Sequence, residues 1–344
     1  MDSEHMTSED FREPAAILHA GGLVAFPTET VYGLGGNALD PYASQKIYAA
    51  KGRPSDNPLI VHIADIGALD ELAADVPAVA LKLAEKFWPG PLTMIFKKKP
   101  IVPDSTTGGL STVAIRFPSH PVANRLILES GLYIAAPSAN ASGRPSTTKA
   151  EHVIEDLDGK IDMIIDSGTS QIGLESTIID LSEDVPTILR PGFVTIEMLK
   201  DIIPDVVYDR AVTKRERDDT IVAKAPGMKY RHYAPKGDLT IFEGDPAKVA
   251  EAINEAVNRA RAEGRKAGVL ATAQNLDRYD CSCLECVGSR SDEEEISAHL
   301  FDTLRKFDEL GVELIFSESF DSGGLGQAIM NRLLKAAGYR VKEV

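Results

Sequence analysis

Four clusters of polar residues in the first two hundred positions have types and spacings suited to chemistry. Thr28-Glu29-Thr30 follows Pro27 at the end of a short apolar run and leads into Val31, Tyr32 and glycines 33, 35 and 36. A buried strand that ends in Pro, hydroxyls and Gly presents polar groups to a ligand, and Gly lets the backbone come close to it. Lys51-Gly52-Arg53-Pro54 with Asn57 is the second cluster. A lone cation at a helix C-terminus is favoured by the helix dipole. Two cations flanking a Gly and leading to Pro and Asn instead suit a loop built to hold an anion. Ala136-Pro137-Ser138-Ala139-Asn140 forms the third, with Ser142-Gly143-Arg144 and Ser146-Thr147-Thr148 behind it, and Glu175-Ser176-Thr177 with Arg190-Pro191-Gly192 the fourth. Arg116 sits near the end of a strand, where an unpaired guanidinium is costly to bury and a bound carboxylate or phosphate would offset the cost. His62, inside a buried strand, can equally be a satisfied core histidine or a ligand.

These residues supply cations, hydroxyls and backbone N–H groups, but no metal cage, no Walker A loop and no G-x-S-x-G nucleophile elbow. Such a set positions anionic substrates against each other, as nucleotidyl transfer requires. Each charge-assisted hydrogen bond contributes about 1.5–3 kcal/mol, so three or four can hold a triphosphate without a glycine-rich P-loop.

The elements that must carry these clusters alternate between helix and strand patterns from about residue 12, which predicts an α/β class. Asp40-Pro41 caps a helix that runs to Lys51 and stops at Gly52. Strands are expected over 23–26, 58–63, 92–96, 112–117, 133–136, 163–165, 177–181 and 187–189, with helices over 12–20, 77–87 and from His120-Pro121 to Gly131. From Val206 to Pro235 the pattern fades into charges and then APGMKYRHYAPKG, which reads as an interdomain linker or a functional lid. A second unit follows, with a strand at 239–242, a helix after Asp245-Pro246, a strand at 267–271, a helix ending at Gly311, a strand at 312–316 and a last helix carrying Ile329 and Leu333. This is a small doubly wound sheet. Its GGLG turn does not complete a dinucleotide motif, because Ile329 stands where the third glycine belongs.

The 344 residues suit two domains. Hydrophobic residues make up 43% and charged residues 26%, as packed globular cores need. A net charge of −15 counts against non-specific binding to nucleic acid or to an anionic membrane. There is no apolar run of 18 residues, and the acidic stretch MDSEHMTSEDFRE reads as a frayed tail rather than a secretory signal. Cys281, Cys283 and Cys286 are too few and too close for a disulfide framework, so a reducing cytoplasm is expected. Their C-x-C-x-x-C spacing could begin a metal site, with His299 the nearest imidazole. A closed zinc site wants four ligands, so a surface loop is the simpler expectation and no metal residues are assigned.

PTETVYGLG, KGRPSDNPL, SAN with SGRPS, LESTIID, LRPG and PGMKYRHYAP stand together in one order. In this the chain resembles the two-domain threonylcarbamoyl-AMP synthases from about Glu9 onward. The resemblance implies a YrdC-like twisted open sheet with helices over 9–205, a linker or lid over 206–236, and a smaller Rossmann-like doubly wound domain over 237–344. It implies that L-threonine, bicarbonate and ATP give threonylcarbamoyl-AMP and pyrophosphate, with Mg2+ held mainly by the triphosphate. The product would pass to partner threonylcarbamoyl transferase proteins that modify tRNA beside the anticodon, so tRNA is engaged only indirectly and no membrane is involved. Carried over residue by residue, Thr30, His62, Arg116, Ala136 and Ser176 would hold threonine, with Arg116 on its carboxylate. Arg53, Asn57, Thr112, Ser138, Ser146, Arg190 and Tyr230 would hold ATP, and Lys51 with Arg53 would serve catalysis at the triphosphate or bicarbonate. Tyr230 lies in the predicted lid. Two other readings are a carbamoyl-AMP-forming carbamoyltransferase, which would turn over without threonine, and a non-catalytic RNA-binding module, which the charge disfavours.

Overall fold

The computed structural model describes residues 6–213, 223–228 and 232–344. The chain divides into two units. Among the described residues the first comprises 6–142, 146–213 and 223–228, and the second 143–145 and 232–344.

The strands of the first unit are β1 (Val24–Phe26), β2 (Gly33–Asn37), β3 (Ile60–His62), β4 (Ala73–Ala74), β5 (Leu92–Lys98), β6 (Thr112–Arg116), β7 (Ile134–Ala135), β8 (Met163–Ile164), β9 (Thr177–Asp180), β10 (Thr187–Arg190) and β11 (Val207–Tyr208). They form one mixed sheet in the order β11-β10-β9-β5-β6-β3-β7-β2-β1-β8, with β4 alongside β5. Because side chains alternate along a strand, each strand divides its residues between two faces. Val61, Met94, Phe96, Val113, Ile115 and Ile179 join one large core with residues of the helices Pro41–Lys51 and Ala78–Phe87. On the opposite face, Val24, Phe26, Ile134 and Ala136 pack under Leu18 of the helix Arg12–His19 and Val122, Leu126 and Ile127 of the helix Pro121–Ser130. Farther along that face Ile60, Ile95, Ala114, Ile178 and Leu189 bury Ala225, with Met228 against them. The stretch expected to be a linker therefore begins by adding β11 to β10, and its residues 223–228 lie on this sheet.

In the first unit one stretch without a strand pattern in the sequence is nevertheless a strand. Gly33–Asn37 is a strand, paired with β1 and β7. A Cβ on Gly35 would stand 2.7 Å from a ring carbon of Phe26 and 2.8 Å from Ile134 Cγ2, so the glycine is there for close packing of strand against side chain. Local composition says turn, but the tertiary packing decides for strand.

The second unit is a parallel sheet of β12 (Asp238–Glu243), β13 (Ala267–Thr272), β14 (Cys283–Gly288), β15 (Leu314–Glu318) and β16 (Val341–Glu343), in the order β14-β13-β15-β12-β16. The helix Pro246–Ala262 covers the face of Val269 and Ala271, while Phe307 of the helix Glu293–Glu309 lies against Gly268, whose Cβ would fall 2.7 Å from its ring. Helices thus cover both faces, as the sequence predicts. At the carboxyl ends of the strands the buried Glu318 accepts hydrogen bonds from the backbone and hydroxyl of Thr272, from Asn275 (2.9 Å), the Tyr279 hydroxyl (3.1 Å) and Arg290 (2.6 Å). The three cysteines, expected in a loop, are free. Cys281 precedes β14, whereas buried Cys283 and exposed Cys286 lie on it and pair with Gly268 and Ala271. The described residues include no group of three or more His, Cys, Asp or Glu placed to hold a metal, and no helix long and apolar enough to cross a membrane.

Candidate active site

The sheet register builds a polar row into an otherwise apolar face. Thr93 pairs with Arg116 across β5 and β6, and Arg116 with His62 across β6 and β3. Residues directly opposite each other point to the same face, so all three side chains rise together beside Ile95, Ala114 and Ile60. Thr93 Oγ1 lies 2.7 Å from Ser176 Oγ at the start of β9. Phe26 meets the His62 ring edge to face at 6.2 Å. Each of these polar residues is at most 4% exposed.

His62 is neutral. Burial, and then the charge of Arg116, push its pKa from 6.5 down to about 3. Its Nδ1 lies 3.1 Å from the Ile60 carbonyl and must donate to it, which leaves Nε2 as an acceptor. Arg116 Nη2 donates to Glu29 Oε1 at 2.7 Å. The sequence reading expected a bound anion to satisfy this arginine, and the fold itself provides a carboxylate.

Glu29 comes from the turn after β1. Thr28 Oγ1 closes that turn by donating to the Val31 carbonyl at 2.6 Å and by lying 2.8 Å from Thr30 Oγ1. Tyr32, fully buried, donates to the Gly168 carbonyl at 2.7 Å, and burial pushes its hydroxyl up to about 12, so it is a neutral strut. Ala136 continues β7, its N–H donating to the Ile60 carbonyl at 2.9 Å, so its backbone borders the row.

The second cluster stands at the end of the helix Pro41–Lys51. Asp40 caps its start by accepting from the Tyr42 N–H, and Gly52 ends it at φ 63°. The buried Lys51 Nζ donates to the carbonyls of Ser138 and Asn140, the latter at 2.5 Å, and so fixes the turn of the third cluster. Ser138 Oγ donates to Asn140 Oδ1 at 2.5 Å. Arg53 reaches the carbonyls of Asn57 and Pro58 at 3.4 and 3.3 Å. Asn57 is 1% exposed, yet its Oδ1 has no hydrogen-bond partner among the described residues; the same holds for Arg116 Nε and Glu29 Oε2. Thr112 begins β6, two residues before Ala114 on the face of Arg116.

Buried Ser146 bonds to Glu175 through its hydroxyl. Arg190 Nε donates to the Ser176 carbonyl at 3.0 Å, its Nη2 to Ser176 Oγ at 3.1 Å and its Nη1 to the Pro226 carbonyl at 3.3 Å, tying the fourth cluster to the 223–228 segment. Gly192 is required here, since a Cβ would stand 2.5 Å from the Thr177 nitrogen and 2.8 Å from the Glu175 carbonyl. The tripeptide Gly143–Pro145 belongs to the second unit, where Arg144 pairs with Asp308 at 3.4 Å. Tyr230 lies outside the described residues. Thr28 and Glu29 stand in the first polar cluster of the sequence but carry no substrate role there, and Thr93 is not singled out by the sequence at all. The signal for Thr93 was a lone hydroxyl in the apolar run Leu92–Phe96; for Glu29 it was an acid between two hydroxyls.

Residues 16–192 match the Sua5/YciO/YrdC family model, described as "Telomere recombination", and residues 194–338 match "Threonylcarbamoyl-AMP synthase, C-terminal domain". A threonylcarbamoyl-AMP synthase of Pyrococcus abyssi is 48% identical over 341 residues, covering 99% of this chain and 98% of that one. The chain belongs to the threonylcarbamoyl-AMP synthase family. A Bacillus subtilis synthase is 49% identical over 96% of this chain and 93% of its own length. The crystal structure of P. abyssi Sua5 complexed with L-threonine superposes with a TM-score of 0.93 at 48% identity, covering 99% of this chain and 97% of that one. The synthase is thus an enzyme of nucleotidyl transfer that makes threonylcarbamoyl-AMP for the modification of tRNA, with ATP as a substrate of its family.

Proposed function

We propose that the polar row on β5, β6 and β3 is the amino-acid end of the active site and that the Lys51–Asn57 loop with the Ser138–Asn140 turn is its nucleotide end. L-threonine lies along Thr30, His62, Arg116, Ala136 and Ser176, with its carboxylate on Arg116. ATP is held by Arg53, Asn57, Thr112, Ser138, Ser146 and Arg190. Tyr230 joins them on the resemblance alone. Lys51 and Arg53 stabilise charge at the triphosphate. Threonine's amine captures bicarbonate as a carbamate with loss of water. The carbamate oxygen then attacks the α-phosphorus, and pyrophosphate leaves. The nucleophile belongs to a substrate, so the protein's work is alignment and charge compensation.

The observation that carries this reading is the set of buried polar atoms without partners. Arg116 Nε and Asn57 Oδ1 are buried donors and acceptors whose desolvation costs about 1–3 kcal/mol each unless a ligand satisfies them. Mg2+ held mainly by the triphosphate belongs to the same proposal. The division into domains at 9–205, 206–236 and 237–344, a lid role for the middle stretch, a cytoplasmic setting, and delivery of the product to partner transferase proteins and so to tRNA complete the proposal.

Pyrophosphate release from ATP with Mg2+, omitting threonine and bicarbonate in turn, tests it. Release that needs both is expected. Release without threonine would favour carbamoyl-AMP formation from another donor, and would remove threonine from the site.

A further inference from the structure

Glu29 has no role in the reading above beyond its contact with Arg116. Its side chain is 7% exposed and that of Arg116 is 5% exposed. One carboxylate oxygen takes the Arg116 Nη2 hydrogen bond, while Oε2 is buried with no partner among the described residues. The backbone is held in place where the Ile172 N–H donates to the Glu29 carbonyl and the Gly173 N–H to that of Thr30, at 2.9 and 3.1 Å, and the side chain is held inward by Arg116. A buried carboxylate oxygen with no donor is unfavourable, and a fold that keeps one has a donor arriving from outside.

Charge balance narrows what that donor is. The ion pair is neutral, and so is its neighbour His62. A simple carboxylate entering on the Arg116 Nε edge would leave one negative charge uncompensated in a buried place. A zwitterion would not, since it offers a carboxylate to Arg116 and N–H donors to Glu29. An α-amino acid carries these two groups on one carbon, close enough to meet both members of a 2.7 Å pair.

We infer that Glu29 Oε2 binds the α-amino group of the amino-acid substrate, so that Arg116 and Glu29 together read the zwitterion. This rests on the assignment of the substrate carboxylate to Arg116. Glu29 then selects amino acids over hydroxy acids and aims the nitrogen that becomes the carbamate.

The test compares L-threonine with 3-hydroxybutanoate, which lacks only the amino group, by calorimetric competition on the full chain. Glu29→Gln keeps the shape and an acceptor for Arg116 but loses the charge. It should weaken threonine roughly ten- to a hundredfold, the worth of one charge-assisted hydrogen bond, and should not weaken 3-hydroxybutanoate, which makes no bond to Oε2 and whose carboxylate then meets an Arg116 no longer neutralised by Glu29. ATP affinity is the check that the variant is folded. If Glu29→Gln does not fold, Glu29→Asp, which keeps the charge and shortens its reach, carries the same comparison. Equal weakening of both ligands would mean that Glu29 only orients Arg116, and no weakening of threonine would mean that it does not meet the substrate; either overturns the inference. Arg116→Ala should weaken both ligands. If it weakens neither, the carboxylate assignment itself is what has failed.

Discussion

Arg116 and Glu29 are separated by 87 positions in the chain but meet at 2.7 Å with almost no solvent, so their coupling can be measured as stability. Two unit charges about 4 Å apart interact by roughly 4 kcal/mol at an effective dielectric of 20. Part of this is cancelled by desolvation in the intact pair. Removing one partner leaves the cost of burial without the attraction, which amounts to about 3–5 kcal/mol. Arg116→Met, similar in length and without charge, should therefore lose that much. Glu29→Gln should also destabilise, by stranding the guanidinium. The double variant should lose at least ~2 kcal/mol less than the sum of the two, because neither charge is then stranded. The single tryptophan makes the assay specific. Trp88 is 7% exposed in the first unit, with its ring N–H on the Leu92 carbonyl at 2.7 Å. Urea denaturation followed by its fluorescence reports this unit, and at about 1–3 kcal/mol per molar urea the single variants should shift the midpoint by about 1 M or more. Added salt should change the coupling little, because screening acts on exposed charges. Costs that add within about 0.5 kcal/mol would refute the buried pair as the element that holds the row together.

His62 gives a pH dependence of known sign. Its pKa is about 3 in the fold and about 6.5 when unfolded, so between these values the unfolded chain binds the extra proton. Stability from this group is fully present above pH 6.5 and falls by about 1.4 kcal/mol per unit as the pH drops toward 3. His62→Gln should flatten the stability profile between pH 4 and 6 by one proton's worth; an unchanged slope would show that His62 is not held neutral. Gly192→Ala should cost about 1–3 kcal/mol, because its Cβ meets main-chain atoms of Glu175 and Thr177 rather than a movable side chain. The same strain should raise the KM for ATP through Arg190 and Ser176, and a variant with wild-type stability would mean that this turn has room.

Much of the site was legible because its residues sit where local patterns are strong. Thr112, Ala114 and Arg116 alternate with Val113 and Ile115, so the period-2 pattern alone places the arginine on the face away from Ile115. The helix ending at Gly52 places Lys51 at a C-terminus whatever the tertiary structure. What could not be read was pairing across distance. Nothing in the local sequence says that Glu29 belongs to Arg116, or that Lys51 closes on the Ser138 and Asn140 carbonyls rather than pointing outward. The strand Gly33–Asn37 was hidden for a related reason. Glycine has low strand preference by itself, and only the closeness of Phe26 and Ile134 makes it the residue that fits. Cys283 looked like part of a loop because the run Cys281–Cys286 has neither alternation nor length, yet β13 offers it a full edge for pairing.

The sheet register explains why the polar row stands where it does. His62 faces Arg116 and Arg116 faces Thr93 only in the observed pairing of β3, β6 and β5. A slip of one residue in β6 would turn Arg116 toward Val61, Met94 and the helices beneath, where neither Glu29 nor a ligand could reach it, and would lift Val113 and Ile115 into the row. Ile115 and Val113, each at most 1% exposed, are therefore as necessary to substrate recognition as the charged residues: their burial on one face holds Arg116 on the other. The apolar residues select the register, the register brings the guanidinium to Glu29, and the buried oxygen left over on Glu29 marks where a substrate nitrogen belongs.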